Sequence, residues 1–295
     1  MLTTTYSARQ SIYTHSGIMH GCEVLFRDSL TNSYPLGFNP TVATASVIVN
    51  SLFKHSFNEK ELVFVNFDYN SLLRGIPHLL NPKQVVVEVL EDVSLTTPLI
   101  DALLSLKSAG YRIAIDDFNG DFENYKQILR FADYLKVDIS DVAYEHIPRQ
   151  IAKRGLHDIK LIAERVETRK QLNSCVTAGY DYFQGYYFSK PLLFAEESYE
   201  LHTSVARDIL SIFNKGMGND LSSLLKLVTR DEGLLRSIIS YCNRDRDTGV
   251  CSIQMAAKVL GRKNTVSLIW LLAQSALAPL PLPSAEESVT LSAII

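Results

Sequence analysis

Seven short apolar runs in the first two-thirds of the chain each carry a polar residue at or near their end. They are GCEVLFR (21–27), ELVFVNF (61–67), KQVVVEVL (83–90), YRIAID (111–116), YLKVD (134–138), IKLIAE (159–164) and YDYFQG (180–185). Between them lie stretches with helical character. These are 40–55, with Pro40 near its start; 97–110, opened by Thr97 and Pro98 and closed by Gly110; a piece near 123–132; 145–155; and 168–178. Runs such as VVVEV and KLIA are almost continuously apolar, the pattern of a strand covered on both faces. Regular β–α alternation of such strands points to an α/β barrel or a doubly wound sheet. No glycine-rich turn follows the first run, which disfavours a dinucleotide-binding sheet.

The polar residues are Glu23, Asn66, Glu88, the pair Asp116 and Asp117, Lys136, Glu164 and Gln184. In a β/α barrel they gather at the C-terminal mouth, where active sites lie. Carboxylates with one amide are hard oxygen ligands, suited to Mg²⁺ or Mn²⁺ rather than zinc. The seven histidines fall outside this set and show no HxxH or HxxxH spacing. Two adjacent acids repel each other unless a cation lies between them, and Asp116 and Asp117 can each face a different ion. Two metals ~3.5–4 Å apart activate a water and clamp a phosphodiester for in-line attack. Lys136 suits charge stabilisation at a phosphate oxygen or the holding of that water, and Glu164 suits acceptance of its proton.

From about Ala195 the strand patterns stop, and 196–215, 221–227, 232–242 and 252–260 look helical. The expected division is a barrel over 1–195, a helical region over 196–280 and a frayed tail over 281–295, rich in Ser and Glu. A formal net charge of −3 on 295 residues gives no broad nucleic-acid surface. Four cysteines without CxxC spacing read as reduced thiols of a cytoplasmic protein. The start, MLTTTYSARQ, lacks the basic-then-apolar order of a signal peptide. The most apolar late run, VSLIWLLAQSALAPLPLP, is broken by Gln274 and three prolines and is too short to span a bilayer.

Several of these runs carry a family likeness. EVLFR at 23–27, Asn66, EVLE at 88–91, DDF at 116–118, LKVD at 135–138, AERVET at 163–168 and QGYYFSKP at 184–191 follow one another in the order found in EAL-domain cyclic di-GMP phosphodiesterases, with Val24 in place of the family's alanine. The resemblance covers about residues 1–195. It implies a TIM-type barrel, often dimeric, that linearises cyclic di-GMP to pGpG with Mg²⁺ or Mn²⁺, two ions in all. It places metal ligands on Glu23, Asn66, Glu88, Asp116 and Asp117, and the water-activating pair on Lys136 and Glu164. Substrate contacts fall on Leu25, Arg27, Gln184 and Pro191, and Glu91 anchors the loop that follows Asp117. The segments 221–243 and 252–272 resemble the start of an HDOD domain, a helical relative of HD hydrolases lacking their metal ligands, which would offer a surface for a protein partner. No membrane and no nucleic-acid polymer is implied.

The chain also departs from that pattern. NGDFEN (119–124) replaces the family's glycine-rich loop, with Asn119 and Asp121 where glycines give backbone freedom. Arg165 stands where glycine is usual, and the span from Lys136 to Glu164 is short. The alternative reading is therefore a catalytically weak or inactive protein that binds cyclic di-GMP and signals through its helical region. The single His–Asp pair, His157–Asp158, is expected on the surface before a strand, and Met255, Leu260 and Trp270 in helix core.

Overall fold

The structure is a computed structural model that describes residues 2–30, 37–54, 57–58, 61–91, 93–140, 143–218, 220–244 and 249–278. The expected tail, 281–295, lies outside the described residues. The chain opens with two antiparallel strands, β1 (Leu2–Tyr13) and β2 (Met19–Arg27). There follow α1 (Pro40–Val47), β3 (Leu62–Phe67), α2 (Tyr69–Leu73), β4 (Val85–Val89), α3 (Thr97–Ser108), β5 (Arg112–Ile115) and β6 (Tyr134–Asp138). The barrel ends with α4 (Ile147–Lys153), β7 (Lys160–Glu164), α5 (Arg169–Ala178) and β8 (Tyr182–Phe183). Strands β2 to β8 pair in parallel, each with the next. β1 pairs antiparallel with β2 along most of its length and with β8 at Tyr13–Phe183, which closes an eight-stranded TIM-type barrel. This settles the choice left by the alternation in favour of the barrel.

A strand's side chains alternate between two faces, so one barrel wall repeats every second residue. The inner wall carries a packed apolar rung of Ile12, Phe64, Val86, Ala114, Tyr134 and Ile162, with Tyr182 against it. Two residues further along six successive strands come Asn66, Glu88, Asp116, Lys136, Glu164 and Gln184. The polar rung therefore sits directly on the apolar one, and the apolar rung is its floor. Asp116 and Gln184 lie just past their strands, yet the ladder still holds them. The Asp116 N–H donates to the Val89 carbonyl at 3.0 Å and the Gln184 N–H to the Ala163 carbonyl at 2.9 Å.

Three local expectations change. Glu196 is not helical: β9 (Leu192–Tyr199) runs antiparallel on β1, with Thr5 opposite Glu196. The reason is β1 itself, which supplies a pairing edge and places Arg9 3.9 Å from the buried Glu196 carboxylate. The piece near 123–132 forms turns and a short 3₁₀ stretch, Ile128–Arg130, rather than a helix. There Phe122 and Tyr125 both turn edge-on to the fully buried Phe118, at 5.1 and 5.4 Å. Met255 is exposed, although Trp270 is buried as expected.

Four helices complete the described chain: α6 (Thr203–Asn214), α7 (Leu221–Val228), α8 (Glu232–Asn243) and α9 (Ile253–Ser275). Gly261, at φ 74° and ψ 166°, breaks α9 into two helical pieces. The second piece buries Leu268, Ile269, Trp270, Leu271 and Leu272 and lies against α1, so the helices share one apolar core with the outside of the barrel. Tyr241 also donates to the Leu79 carbonyl at 2.7 Å. All four cysteines are free thiols, and His157 and Asp158 are exposed. Among the described residues no helix is long and apolar enough to cross a membrane.

Asp231 joins the start of α6 to that of α8. Its fully buried carboxylate accepts from the His202 N–H at 2.7 Å and, as an N-cap, from the Leu234 N–H at 3.0 Å. Asp231→Ala removes the cap and leaves a donor without its partner. The expected loss is about 2 kcal/mol of unfolding free energy, read as a lower urea midpoint at unchanged slope.

Candidate active site

The centre of the polar rung is the Lys136 ammonium, which is 1% exposed. It lies 2.8 Å from Asp116 Oδ1, 2.9 Å from Glu88 Oε1, 3.0 Å from Glu164 Oε1 and 3.2 Å from Glu23 Oε2. Four carboxylates from four strands thus surround one cation. Burial disfavours the ammonium, but Asp116, Glu164, Glu23 and Glu88 together outweigh it and push the Lys136 pKa well above the ordinary lysine value. The carboxylates divide. Burial pushes Glu23 up, yet Lys136 and hydrogen bonds from Gln184 and Asn66 outweigh it and hold the acid below the usual range. Burial raises Glu88 and Glu164 well above their ordinary value; Lys136 opposes this and the neighbouring carboxylates add to it. Asp116 is raised for the same reasons, burial first.

The amides tie the rung together. Asn66 Nδ2 donates to Glu23 Oε1 at 2.8 Å, and Gln184 Nε2 donates to Glu23 Oε2 at 2.7 Å and to Gln10 Oε1 at 3.2 Å. Gln10 was not anticipated from the sequence. β1 runs against the other strands, so its contribution to this rung comes two residues before Ile12 instead of two after an inward residue. With that reversal, the alternation of Ala8, Gln10 and Ile12 is the signal that finds it.

Several acceptors are left over. Among the described residues, Asn66 Oδ1, Gln184 Oε1 and both oxygens of Glu88 are buried and receive no hydrogen bond; Glu88 Oε1 faces Lys136 as an ion pair only. Buried acceptors without donors and an excess of carboxylates over cations describe a site short of positive charge. A second acidic group adjoins the first. The ligand oxygens of Glu91, Asp116 and Asp117 lie within 4.8 Å of one another. Adjacent strand residues normally face opposite ways; Asp117 adopts φ 42°, in the left-handed region, and that turn ends the alternation. All of these donors are oxygens, so the set fits hard divalent cations, with Asp116 common to both groups.

A cavity of about 330 Å³ opens above the rung. Leu25, Arg27, Gln184 and Pro191 line it, as do Glu23, Asp116, Asp117, Lys136 and Glu164, while Asn66 and Glu88 lie behind. Glu91 belongs to the second acid group, beside the wall. Arg27 is buried, its Nη1 donates to the Phe26 carbonyl at 2.7 Å, and burial lowers its pKa while Glu23 pulls it back. Arg165, Glu167 and Tyr186 also line the cavity. Arg165 adopts φ 55°, a backbone that explains why glycine suits this position, and its Nε lies 2.8 Å from Asp138 Oδ2. Gly185 has no such latitude: a Cβ there would lie 2.3 Å from the Val166 carbonyl oxygen.

The unusual loop is built from its own polar side chains. Asn119 Oδ1 accepts from the Asp121 N–H and Asp121 Oδ1 from the Asn124 N–H, both at 3.0 Å. Two successive side-chain-capped turns account for the acidic and amidic composition.

Residues 68–191 match the EAL domain family. That stretch of the chain is similar to an EAL domain. Over 277 residues it is 28% identical to the uncharacterized protein YuxH of Bacillus subtilis, a match covering 90% of this chain and 67% of YuxH. Over 271 residues it is 30% identical to the cyclic di-GMP phosphodiesterase CdgJ of Vibrio cholerae, covering 88% of this chain and 61% of CdgJ. The chain thus spans less than two thirds of CdgJ. Among solved structures, Klebsiella pneumoniae BlrP1, in its calcium/cyclic di-GMP complex, superposes with a TM-score of 0.52 at 21% identity. That match covers 67% of this chain and 61% of BlrP1, a likeness of fold. The EAL match begins at residue 68, after β3, whereas the barrel that holds the polar rung begins with β1.

Burial, with Asp116 and Glu91 beside it, pushes Asp117 from an ordinary 3.8 up to about 6. A carboxyl raised in the folded state binds its proton more tightly there than in the unfolded chain. Its contribution is therefore present below about pH 4 and lost as pH rises through about 6. In metal-free buffer, Asp117→Asn is expected to gain stability relative to wild type as pH rises from 4.5 to 7, measured by urea unfolding at both values.

Proposed function

We propose that this chain hydrolyses cyclic di-GMP to linear pGpG in a divalent-cation-dependent reaction. The observation that carries the reading is the rung of Glu23, Asn66, Glu88 and Asp116 around Lys136, short of positive charge and open to a cavity lined by Arg27 and Gln184. The match of residues 68–191 to the EAL domain family supports it, and so does the likeness to CdgJ, a cyclic di-GMP phosphodiesterase. Glu23, Asn66, Glu88, Asp116 and Asp117 would hold Mg²⁺ or Mn²⁺, two ions in all. Bound there, the ions would supply a nucleophilic hydroxide and neutralise charge on the phosphodiester.

The remaining steps belong to the chain's own side chains. Arg27 directs charge-assisted donors at a phosphate oxygen, and Leu25 and Pro191 pack beside the nucleotide. Gln184 fixes the orientation of Glu23. Glu164 accepts the proton of the attacking water, and Lys136, 3.0 Å away, holds that water or the charge that develops on the phosphate. The high pKa that burial gives Glu164 in this site leaves it a poor base until further positive charge enters, so proton acceptance depends on loading of the site.

In this reading residues 1–195 act as the catalytic barrel, with Glu91 anchoring the loop after Asp117, and the protein is cytoplasmic. Residues 196–280 act as a partial HDOD-like region offering a protein-binding surface, and two copies pair through the barrel.

Turnover of cyclic di-GMP by the purified full chain, followed by chromatography with Mg²⁺ or Mn²⁺ present, tests the reading. Glu164→Gln is expected to cut turnover by about 10²–10⁴-fold with substrate affinity nearly unchanged. Arg27→Ala is expected to weaken substrate binding by about 1.5–3 kcal/mol. Tight metal-dependent binding without turnover in wild type would assign the chain to sensing instead of hydrolysis. Mg²⁺ or Mn²⁺ is further expected to raise the melting temperature of wild type and not of Asp116→Ala. An equal rise in both would remove Asp116 from the ligand set.

A further inference from the structure

A second cavity, of about 420 Å³, lies on the far side of the barrel wall, where the end of α2 meets α6 and the second piece of α9. That size is within the range of small-molecule sites. Arg74 reaches into it from the barrel, and Arg262 and Lys263 from just after the Gly261 break. No acidic residue lines it among the described residues. The Arg74 guanidinium lies between two rings, 4.9 Å from the centre of Phe213 and 4.8 Å from that of Trp270. The two rings hold the guanidinium carbon and leave its N–H groups to seek acceptors. Among the described residues neither Arg74 nor Lys263 makes an ion pair. Burial lowers the Arg74 pKa and no carboxylate opposes it. Half-buried positive charge without a counter-charge is costly, and the structure retains it at a pocket that can admit a ligand.

We propose that this cavity binds a phosphate monoester of mononucleotide size. A phosphate group carries close to two negative charges at neutral pH and accepts a guanidinium fork in two parallel hydrogen bonds. Arg74 meets it edge-on, Lys263 adds a mobile point charge at the rim, and Val266 and Leu73 give the organic body an apolar wall. Because Arg74 belongs to the barrel and Lys263 to α9, the ligand bridges the two parts of the chain. The proposal does not depend on the chemistry assigned to the barrel mouth.

Trp270, which lines this cavity, is the only tryptophan in the chain, so its emission reports on this site and not on the mouth. Uridine monophosphate titrated into the full-length protein in metal-free buffer is expected to change that emission saturably, and uridine is expected to leave it unchanged. Lys263→Gln, an exposed and structurally mild change, and Arg74→Gln, with its fold checked by melting temperature, are each expected to weaken binding about tenfold. Arg27→Ala, at the barrel mouth, is expected to leave the titration unchanged. The proposal is overturned if uridine monophosphate gives no saturable change, if uridine does as well, or if Lys263→Gln titrates like wild type.

Discussion

Everything at the barrel mouth depends on one ammonium group held among four carboxylates. Glu23, Glu88, Asp116 and Glu164 come from four strands that the closed barrel forces to converge, and without Lys136 their charges could not share so small a buried volume. The convergence follows from strand geometry. Asn66, Glu88, Asp116, Lys136 and Glu164 each stand two positions beyond an apolar residue of the rung below, so the packing of Phe64, Val86, Ala114, Tyr134 and Ile162 sets their height. Function and stability are separated by one step of the same alternation. A substitution in the floor would move the acids, and a substitution in the acids would leave the floor intact.

Much of this was legible in the sequence, because nearly continuous apolar strands interrupted at one place have few explanations. The polar end of each run named its contribution to the rung. What escaped was written in weaker code. β1, LTTTYSARQSIY, is half polar, carries no single punctuating acid and runs against the other strands, so neither its existence nor the role of Gln10 stood out. The error at Glu196 followed from that omission, since a strand is recognised partly by what it can pair with, and EES without a neighbour resembles the start of a helix. The segment after Asp117 has helical composition, yet its aromatic residues are committed to Phe118 and its acid and amide side chains cap consecutive turns. The helical region's contact with the barrel could not be read either, because the apolar face of α9 does not say which surface it covers.

Among the described residues two non-glycines adopt left-handed backbone, Asp117 and Arg165, and both stand at the mouth. Each costs on the order of 1 kcal/mol relative to an ordinary conformation. Strain of this kind persists where surroundings impose it. At Asp117 it ends the strand's alternation beside a second acid group; at Arg165 it accompanies an ion pair with the buried Asp138. The loop after Asp117 keeps one glycine in the left-handed region, Gly120 at φ 86°. Around it the turn is braced by the Asn119 and Asp121 side chains, which accept from backbone N–H groups.

The closure of the barrel has a further consequence. β1 shares a long ladder with β2 on one side, but meets β8 at a single residue pair, Tyr13 and Phe183. Mechanically the molecule is a curled sheet fastened by a latch, and the latch adjoins the site: Gln10 on one edge and Gln184 on the other reach across it, with Glu23 gripping the same amide from β2. A ligand that engages Gln184 therefore does more than occupy the mouth. It bears on the seam itself, because the same amide already ties β8 to β1 and β2.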